Sequence, residues 1–428
     1  MNIVIIGASF AGLACALEAR SLYPQAEIDV LEASDKIAYF PSSFQWNVKS
    51  GQEEFEASFW KDKKELEAAD IQLHLQTKVL AIHPKKKSIQ TERGEYSYDR
   101  LVLAMGAGSD STYIKGTDQS GVYSLKTWKQ GKAAFEALKE AGSVAIIGGG
   151  PIGIEVAEAC LAQGKEVSLF EAGPYLDFKQ FDADFSQTLE GTMKTQGAHL
   201  YLDSRVQAIH KEHGQLNIQL DQATLAADLV LLGVNFRPNS KILEGVLDLH
   251  MDGRVKVFDD LSTSDPHIFA AGDLAYLPCR QEEAYTPLVS TAIRSGQIVA
   301  RNLFHSQQAF PPLIRLLGFH HFGLYRLSVG LLESELRLGQ ESLVSRYQTE
   351  DLELKLIWEK ESGVILGLQV QSKSNCLALG NEMVLAIRQG LSDRDLALRE
   401  FIFAPQEERL GLALHQACLE AWKGREGL

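Results

Sequence analysis

A chain of 428 residues is too long for one hydrophobic core, which tends to stop growing near about 250 to 300 residues, so two to four domains are expected. With 45% apolar and 23% charged residues it reads as soluble and globular, and its net charge of −14 disfavours nucleic acid and other polyanions as partners.

The first stretch, NIVIIGASFAGLACALEA, is an apolar strand that breaks at Gly7 and resumes as a helix with apolar residues at helical spacing. The next strand, IDVLEA, ends at Glu32, twenty residues after Gly12. This is the pattern of a dinucleotide-binding turn. Glycine permits the tight bend, backbone N–H groups at the helix N-terminus hold a pyrophosphate, and the acidic residue takes a ribose diol. Ser9 replaces the middle glycine of that pattern and offers a hydroxyl to the phosphate. IAYFPSSFQW, residues 37–46, follows and contains neither a thiol nor a histidine. Lys85, Lys86 and Lys87 sit beside Pro84 between two strand-like stretches and read as a solvated hairpin turn. YDRLVLAMGA, residues 98–107, is a strand running into small residues.

The second glycine turn is cleaner. SVAIIGGGPIGIEVAEACLAQGKEVSLFEAG runs strand, glycine turn (Gly148, Gly149, Gly150, Pro151, Ile152, Gly153), helix and strand, and ends its ribose-binding strand at Glu171, eighteen residues after Gly153. ADLVLLGVNFRPN, residues 227–239, repeats the earlier strand-to-small-residue pattern, and TSDPHIFAAGDLA ends an apolar strand at Gly272 and Asp273. From about Leu316 the pattern changes. LVSRYQTEDLELKLIWEKESGVILGLQVQSK reads as a strand meander turning at Glu361-Ser362-Gly363, followed by a helix over Leu377 to Gln389. Gly390 stops that helix, and Ser392 to Asp395 caps the next one.

These motifs strongly resemble the flavin- and pyridine-nucleotide-dependent disulfide reductase superfamily, over essentially the whole chain. The nearest branch is that of NADH oxidase, NADH peroxidase and coenzyme A-disulfide reductase, which shares the opening ALEARSLYPQAEI, Ala16 to Ile28, and a helix like TPLVSTAIRSGQIVARNL after the Gly-Asp strand. The resemblance implies an α/β fold of two doubly wound Rossmann-like nucleotide-binding domains, the NAD domain inserted in the FAD domain, plus a C-terminal α+β dimerisation domain. The expected segments are 1–112 (FAD, first part), 113–243 (NAD), 244–312 (FAD, second part) and 313–428 (interface), with turns near Tyr113, Leu243 and Pro311-Pro312 marking the breaks.

Carried over residue by residue, the resemblance implies an FAD site at Gly7, Ser9, Phe10, Ala11, Gly12, Glu32, Ala33, Ser42, Val79, Met105, Gly106 and Asp273. The Asp273 carboxylate would bond the ribityl chain, and the helix beginning at Leu288, Val289 and Ser290 would point its positive end at the flavin pyrimidine. NADH would lie along Gly148, Gly150, Ile152, Gly153, Glu171 and Gly233, with Glu155 near the nicotinamide. The family's redox cysteine falls at Ser42 and its histidine at Phe10. A serine hydroxyl cannot cycle through sulfenic acid or disulfide, so the thiol step of the family does not carry over.

The remaining chemistry-bearing residues read as structural. Five widely spaced cysteines, Cys15, Cys160, Cys279, Cys376 and Cys418, form neither a Cys-x-x-Cys pair nor a zinc spacing, which suits a reducing compartment. His320, His321 and the other histidines lack ligand spacing, so no metal is expected. Met1-Asn2 leads straight into a strand, and no apolar run approaches the roughly 18 residues of a membrane span, so a cytoplasmic protein with small-molecule substrates is expected. The expected function is an FAD-dependent NADH oxidase-like enzyme that passes electrons directly to oxygen or another small acceptor. The alternatives are a reductase of a small electron-carrier protein and a flavin-bound regulatory protein with little turnover.

Overall fold

A computed structural model describes residues 1–109, 113–234, 236–280, 287–304, 308–336, 342–404 and 409–427. Thr112 at the expected first domain break, Asn235 in the ADLVLLGVNFRPN stretch and Thr286 at the head of the late helix lie outside the described residues. The chain divides into two compact units, one of residues 1–115, 123–139 and 234–313, the other of residues 116–122, 140–233 and 314–428.

The first unit is built on a parallel five-stranded sheet in the order Ile268–Ala270, Arg100–Leu103, Asn2–Ile6, Glu27–Leu31, Gln72–His74. The central strands are continuous apolar runs because both faces are covered, and Ile3, Val4, Ile5, Leu101, Val102 and Leu103 are fully buried. The helices Phe10–Leu22 and Val289–Asn302 cross so closely that a Cβ on Gly296 would stand 2.2 Å from the Ala11 carbonyl oxygen. The expected hairpin at Lys85 to Lys87 is present, as a 3-10 turn over Pro84–Lys86 that closes with Lys87 in the left-handed conformation.

The second unit repeats the plan with parallel strands Ala198–Tyr201, Glu166–Phe170, Ser143–Ile147 and Leu229–Leu232. It also carries an antiparallel sheet in the order Leu316–His321, Leu324–Gly330, Ile365–Ser372, Leu352–Glu359, Ser342–Gln348. The helices Leu379–Gln389 and Leu410–Glu426 share its core. The meander and its turn at Gly363 (φ +73°), the stop at Gly390 (φ +67°) and the Ser392–Asp395 capping box all form as read from the sequence.

Charges buried inside this second unit fasten the loop after Glu171 to the antiparallel sheet. Arg326 and Asp177, both without solvent contact, pair at 2.5 Å, and the Arg326 guanidinium also lies 3.9 Å from the Phe181 ring centroid. Lys355, 1% exposed, places its ammonium 3.0 Å from Asp182, 2.8 Å from Asp184 and 3.0 Å from Glu333. Burial alone would raise the Asp182 carboxyl, but hydrogen bonds from Ser334 and the Lys355 ammonium outweigh it and hold the group below the ordinary carboxylate range.

Lys355→Met is therefore expected to lower stability by about 3–5 kcal/mol, because it strands a buried carboxylate, and Asp182→Asn in the same chain should recover part of the loss. Guanidinium denaturation reads both. The stabilisation from Asp182 is complete above the ordinary carboxylate pKa and should disappear on acidification, as pH falls through the depressed folded-state value.

Candidate functional site

Two glycine turns, one in each unit, carry the same backbone construction. In the first, Gly7 adopts φ +106° and donates its N–H to the Leu31 carbonyl at 2.8 Å. A Cβ on Gly7 would meet the Ala104 carbonyl oxygen at 2.3 Å, and one on Gly12 would meet the Gly7 carbonyl oxygen at 1.9 Å. In the second, Gly148 has φ +112° and donates to the Phe170 carbonyl at 2.8 Å, and a Cβ on Gly153 would stand 1.8 Å from the Gly148 carbonyl oxygen. These distances leave room for hydrogen only, so the helix lies directly on the strand end and its first turn opens over the carboxyl end of the sheet.

The helix starts are left open for an anion. Ser9, the N-cap of Phe10–Leu22, is exposed, extended and makes no side-chain cap bond; Gly150, the N-cap of Pro151–Ala162, has no side chain to cap with. The first N–H groups of a helix have no intrahelical acceptor, and with the helix dipole they form a phosphate cradle. Gly150 would accommodate a Cβ with nothing within 4 Å, so the approach to this cradle is clear.

Each cradle is braced by its strand-end glutamate. Glu32 accepts from the Ala8 N–H at 2.8 Å and the Ser34 N–H at 2.7 Å. Glu171 accepts from the Gly149 and Gly173 N–H groups, both at 2.6 Å. In both turns the carboxylate thus spans the residue after the first glycine and the residue two beyond itself. Both of its oxygens are held by the chain, at the place where a ribose diol would meet them.

The remaining expected residues fall as follows. Phe10 and Ala11 are buried in the first helical turn, Ala33 is exposed beside Glu32, and Val79 begins the strand Val79–His83. Met105 and Gly106 (φ +60°) follow the strand Arg100–Leu103, their carbonyls accepting from the Asn239 side chain and N–H. Asp273 follows Gly272 (φ +67°), whose N–H donates to the Ser295 hydroxyl. Burial raises the Asp273 carboxyl, opposed by Lys126, whose ammonium lies 3.7 Å away. Leu288 caps the helix Val289–Asn302, with Val289 and Ser290 exposed at its tip. In the second unit, Ile152 and Glu155 are half-buried in the first turns of Pro151–Ala162, and Gly233 donates to the Ile147 carbonyl at 2.9 Å, where a Cβ would come within 3.2 Å of the Gly153 nitrogen. The residues present therefore fit a dinucleotide in each unit, and the half-buried carboxyl of Asp273 would be the acceptor for ribityl hydroxyls in the first.

Ser42 caps the short helix Ser43–Lys49 and accepts from the Trp46 N–H at 3.0 Å through its carbonyl. Its neighbour Ser43 is fully buried and structural: its hydroxyl donates to the Phe40 carbonyl at 2.7 Å and accepts from the Ser58 N–H at 3.0 Å. No cysteine stands in for a thiol at Ser42. Burial pushes Cys160, Cys376 and Cys418 up to about 12 and raises Cys15 as well, and the Cys279 thiol donates to the Leu313 carbonyl. His320 stacks on Tyr325 at 3.9 Å, and among the described residues no group of three or more His, Cys, Asp or Glu is arranged to hold a metal.

The family model described as pyridine nucleotide-disulphide oxidoreductase matches residues 1–296, spanning both cradles and Asp273. The chain belongs to this family. An NADH oxidase of Enterococcus faecalis is 30% identical over 98% of this chain and all of its own length. A Pyrococcus horikoshii NAD(P)H coenzyme A polysulfide/persulfide reductase is 24% identical over 94% of each chain. Among solved structures, the water-forming NADH oxidase of Lactobacillus brevis bound to NADH superposes with a TM-score of 0.93 at 27% identity, covering 100% of this chain and 99% of that one.

Two features of this oxidoreductase were not read from the sequence. Lys126 lies in the segment expected to begin the inserted domain, 147 positions before its partner Asp273, and nothing local marks it as a companion of the Gly-Asp strand. The second is a set of aromatic rings around Phe10 and Phe40, for which the concentration of Phe and Trp between residues 40 and 60 was the available signal. Asp273→Ala is expected to weaken FAD retention by about 1–3 kcal/mol while leaving the fold intact, measurable by equilibrium dialysis of the flavin against the folded protein.

Proposed function

We propose that this chain is an FAD-dependent NADH oxidase whose oxygen chemistry stops at hydrogen peroxide. Gly7 to Gly12, Glu32 and Asp273 would hold FAD, which when bound would supply two-electron redox chemistry with NADH as hydride donor. The chain's own part is positioning and electrostatics. The first cradle and Asp273 would hold the flavin nucleotide, the exposed tip of Val289–Asn302 would face its pyrimidine, and the second cradle with Glu171 would hold NADH. The full-length likeness to NADH oxidases supports the activity.

The observation that carries the peroxide outcome is the pair Ser42 and Phe10, at the positions the resemblance assigns to the redox thiol and its histidine. Without a second redox station the two-electron stoichiometry is NADH + H⁺ + O₂ → NAD⁺ + H₂O₂. The water-forming relative marks the opposite outcome. About one peroxide per NADH is expected, read as oxygen uptake with and without catalase; water formed without peroxide would refute the assignment.

Glu171 favours NADH over NADPH, because its carboxylate would repel a 2′-phosphate and Ala172-Gly173-Pro174 provides no cation to offset that. A higher kcat/KM for NADH is expected, and Glu171→Ala should narrow the ratio by at least about tenfold. We further infer a homodimer through residues 313–428, where Leu385, Leu398, Ile402 and Phe403 are 61 to 75% exposed, a costly display for a monomer. Light scattering should return twice the chain mass. No helix among the described residues is long and apolar enough to cross a membrane. Five widely spaced cysteines with no Cys-x-x-Cys pair support a cytoplasmic setting. The flavin segments 1–112 and 244–312 and the NAD segment 113–243 remain our domain assignment.

A further inference from the structure

The two glycine turns share one more part, and they differ in how it is anchored. Six residues beyond Glu32, Ala38 adopts the left-handed conformation (φ +47°) and donates its N–H to the Ala8 carbonyl at 2.9 Å. Six residues beyond Glu171, Asp177 does the same (φ +52°), donating to the Gly149 carbonyl at 2.8 Å. Ala8 and Gly149 each follow the first glycine of their turn. A trans peptide points its N–H opposite to its C=O, so a bond that fixes the Gly149 carbonyl also fixes the direction of the Gly150 N–H at the start of the helix Pro151–Ala162. Pro151 brings no N–H, which leaves Gly150 a larger share of that anion cradle. A left-handed residue other than glycine is strained and persists only where its surroundings hold it.

In the first turn the hold is apolar and main-chain. Ala38 is buried in the core, and its carbonyl accepts from the Trp60 N–H at 2.9 Å. In the second turn the hold is ionic: the Asp177 carboxylate pairs at 2.5 Å with Arg326 of the strand Leu324–Gly330, both side chains shut off from solvent. Burial raises the Asp177 carboxyl and lowers the Arg326 guanidinium, and the partner's charge opposes the shift in each case. Among the described residues, Arg326 Nε and Nη2 and the second Asp177 oxygen find no hydrogen-bond partner. A buried pair left short of partners is often no more stable than apolar side chains of similar volume, and Ala38 shows that this turn forms without a charge at the matching place. What the pair does determine is where the loop lies. Leu176, next to Asp177, sits so close on the turn that a Cβ on Gly149 would meet its side chain at 2.6 Å.

We propose that Arg326 is a positioning residue for the coenzyme: through Asp177 it holds the Gly149 carbonyl, and so aims the Gly150 N–H at the pyrophosphate of NADH. The inference rests on the reading of the second cradle as the NADH site. Gly149 is then held on both sides, its N–H by the Glu171 carboxylate at 2.6 Å and its carbonyl by the Asp177 N–H. The ribose end and the pyrophosphate end of the coenzyme would thus be set by one residue of the turn, whose position depends on a cation 149 residues beyond Asp177 in the chain. The two nucleotide sites separate on this point. The flavin turn, anchored by apolar packing and the Trp60 N–H, does not depend on Arg326; the NADH turn does.

The test titrates the FAD-loaded full chain calorimetrically with ADP-ribose, the part of NADH that would meet the cradle and Glu171, which cannot reduce the flavin. Arg326→Met alone strands a buried carboxylate, so the pair is also removed together in Arg326→Met/Asp177→Ala, which places at 177 the residue that the first turn has at 38. The double variant is expected to unfold near the wild-type denaturant midpoint, yet to bind ADP-ribose about tenfold more weakly, as Arg326→Met does. KM for NADH should rise by the same factor with kcat unchanged, because the interaction lost is one of binding. Arg326→Lys, which keeps the charge, should stay within about threefold of wild type, and flavin retention on dialysis should be unaltered in all three. A double variant with wild-type ADP-ribose affinity overturns the proposal. So does a loss of flavin retention parallel to that of ADP-ribose, which would make the pair a general support of the fold. A wild-type chain that does not bind ADP-ribose removes the NADH reading of the second cradle and this inference with it, whereas tight wild-type binding left unaltered by the substitutions removes the inference alone.

Discussion

Backbone touching backbone is the constraint on which the nucleotide sites depend. The carbonyl of Gly7 sits where a side chain on Gly12 would have to be, and the carbonyl of Ala104 sits where one on Gly7 would have to be. Only hydrogen fits in either place, so the helix rests on the strand end without intervening side chains and its open N–H groups are aimed at one spot. The same contact recurs between Gly148 and Gly153.

The glutamates make the turns more than steric accidents. A carboxylate that accepts two N–H groups, one from the turn and one from its own strand's continuation, ties the strand end to the turn and would so fix the ribose end and the phosphate end of a cradle relative to each other. Because Glu32 and Glu171 do this by the same sequence offsets, the two halves behave as one device used twice, with discrimination between ligands left to what surrounds each copy. Around the first copy that is Asp273 with Lys126 and the aromatic rings; around the second it is the loop from Ala172 to Asp182.

How much of this could be read from the sequence depends on whether the information is local. The glycine spacings, the strand-end glutamates, the meander and the caps at Gly390 and Ser392 are local, because turn geometry and helix ends impose residue types at fixed offsets. The absence of a thiol and a histidine at Ser42 and Phe10 was equally plain, once the resemblance placed the motif. What replaced them was not. Phe10, Phe40, Trp46 and Trp60 belong to three separate segments, brought together by the pairing of residues 38–40 with 58–60 and by the Ala38 N–H on the Ala8 carbonyl. The Lys126–Asp273 pair and the Arg326–Asp177 pair are invisible for the same reason, being charges whose partners are set by topology.

The buried ion pairs of the second unit also bear on modularity. The match to the family model ends at residue 296, which invites treating the rest as an appendage. Yet Asp177 and Asp182, inside the matched region, take their counter-charges from Arg326 and Lys355 beyond it. A fragment cut at the edge of the match would expose an apolar loop carrying two carboxylates that had been neutralised in the interior, directly behind Gly149, whose carbonyl accepts from the Asp177 N–H. The C-terminal sheet thus supplies the counter-charges of the loop behind the second glycine turn, and domain swaps among such oxidoreductases are expected to succeed only when the loop and its distant cations travel together.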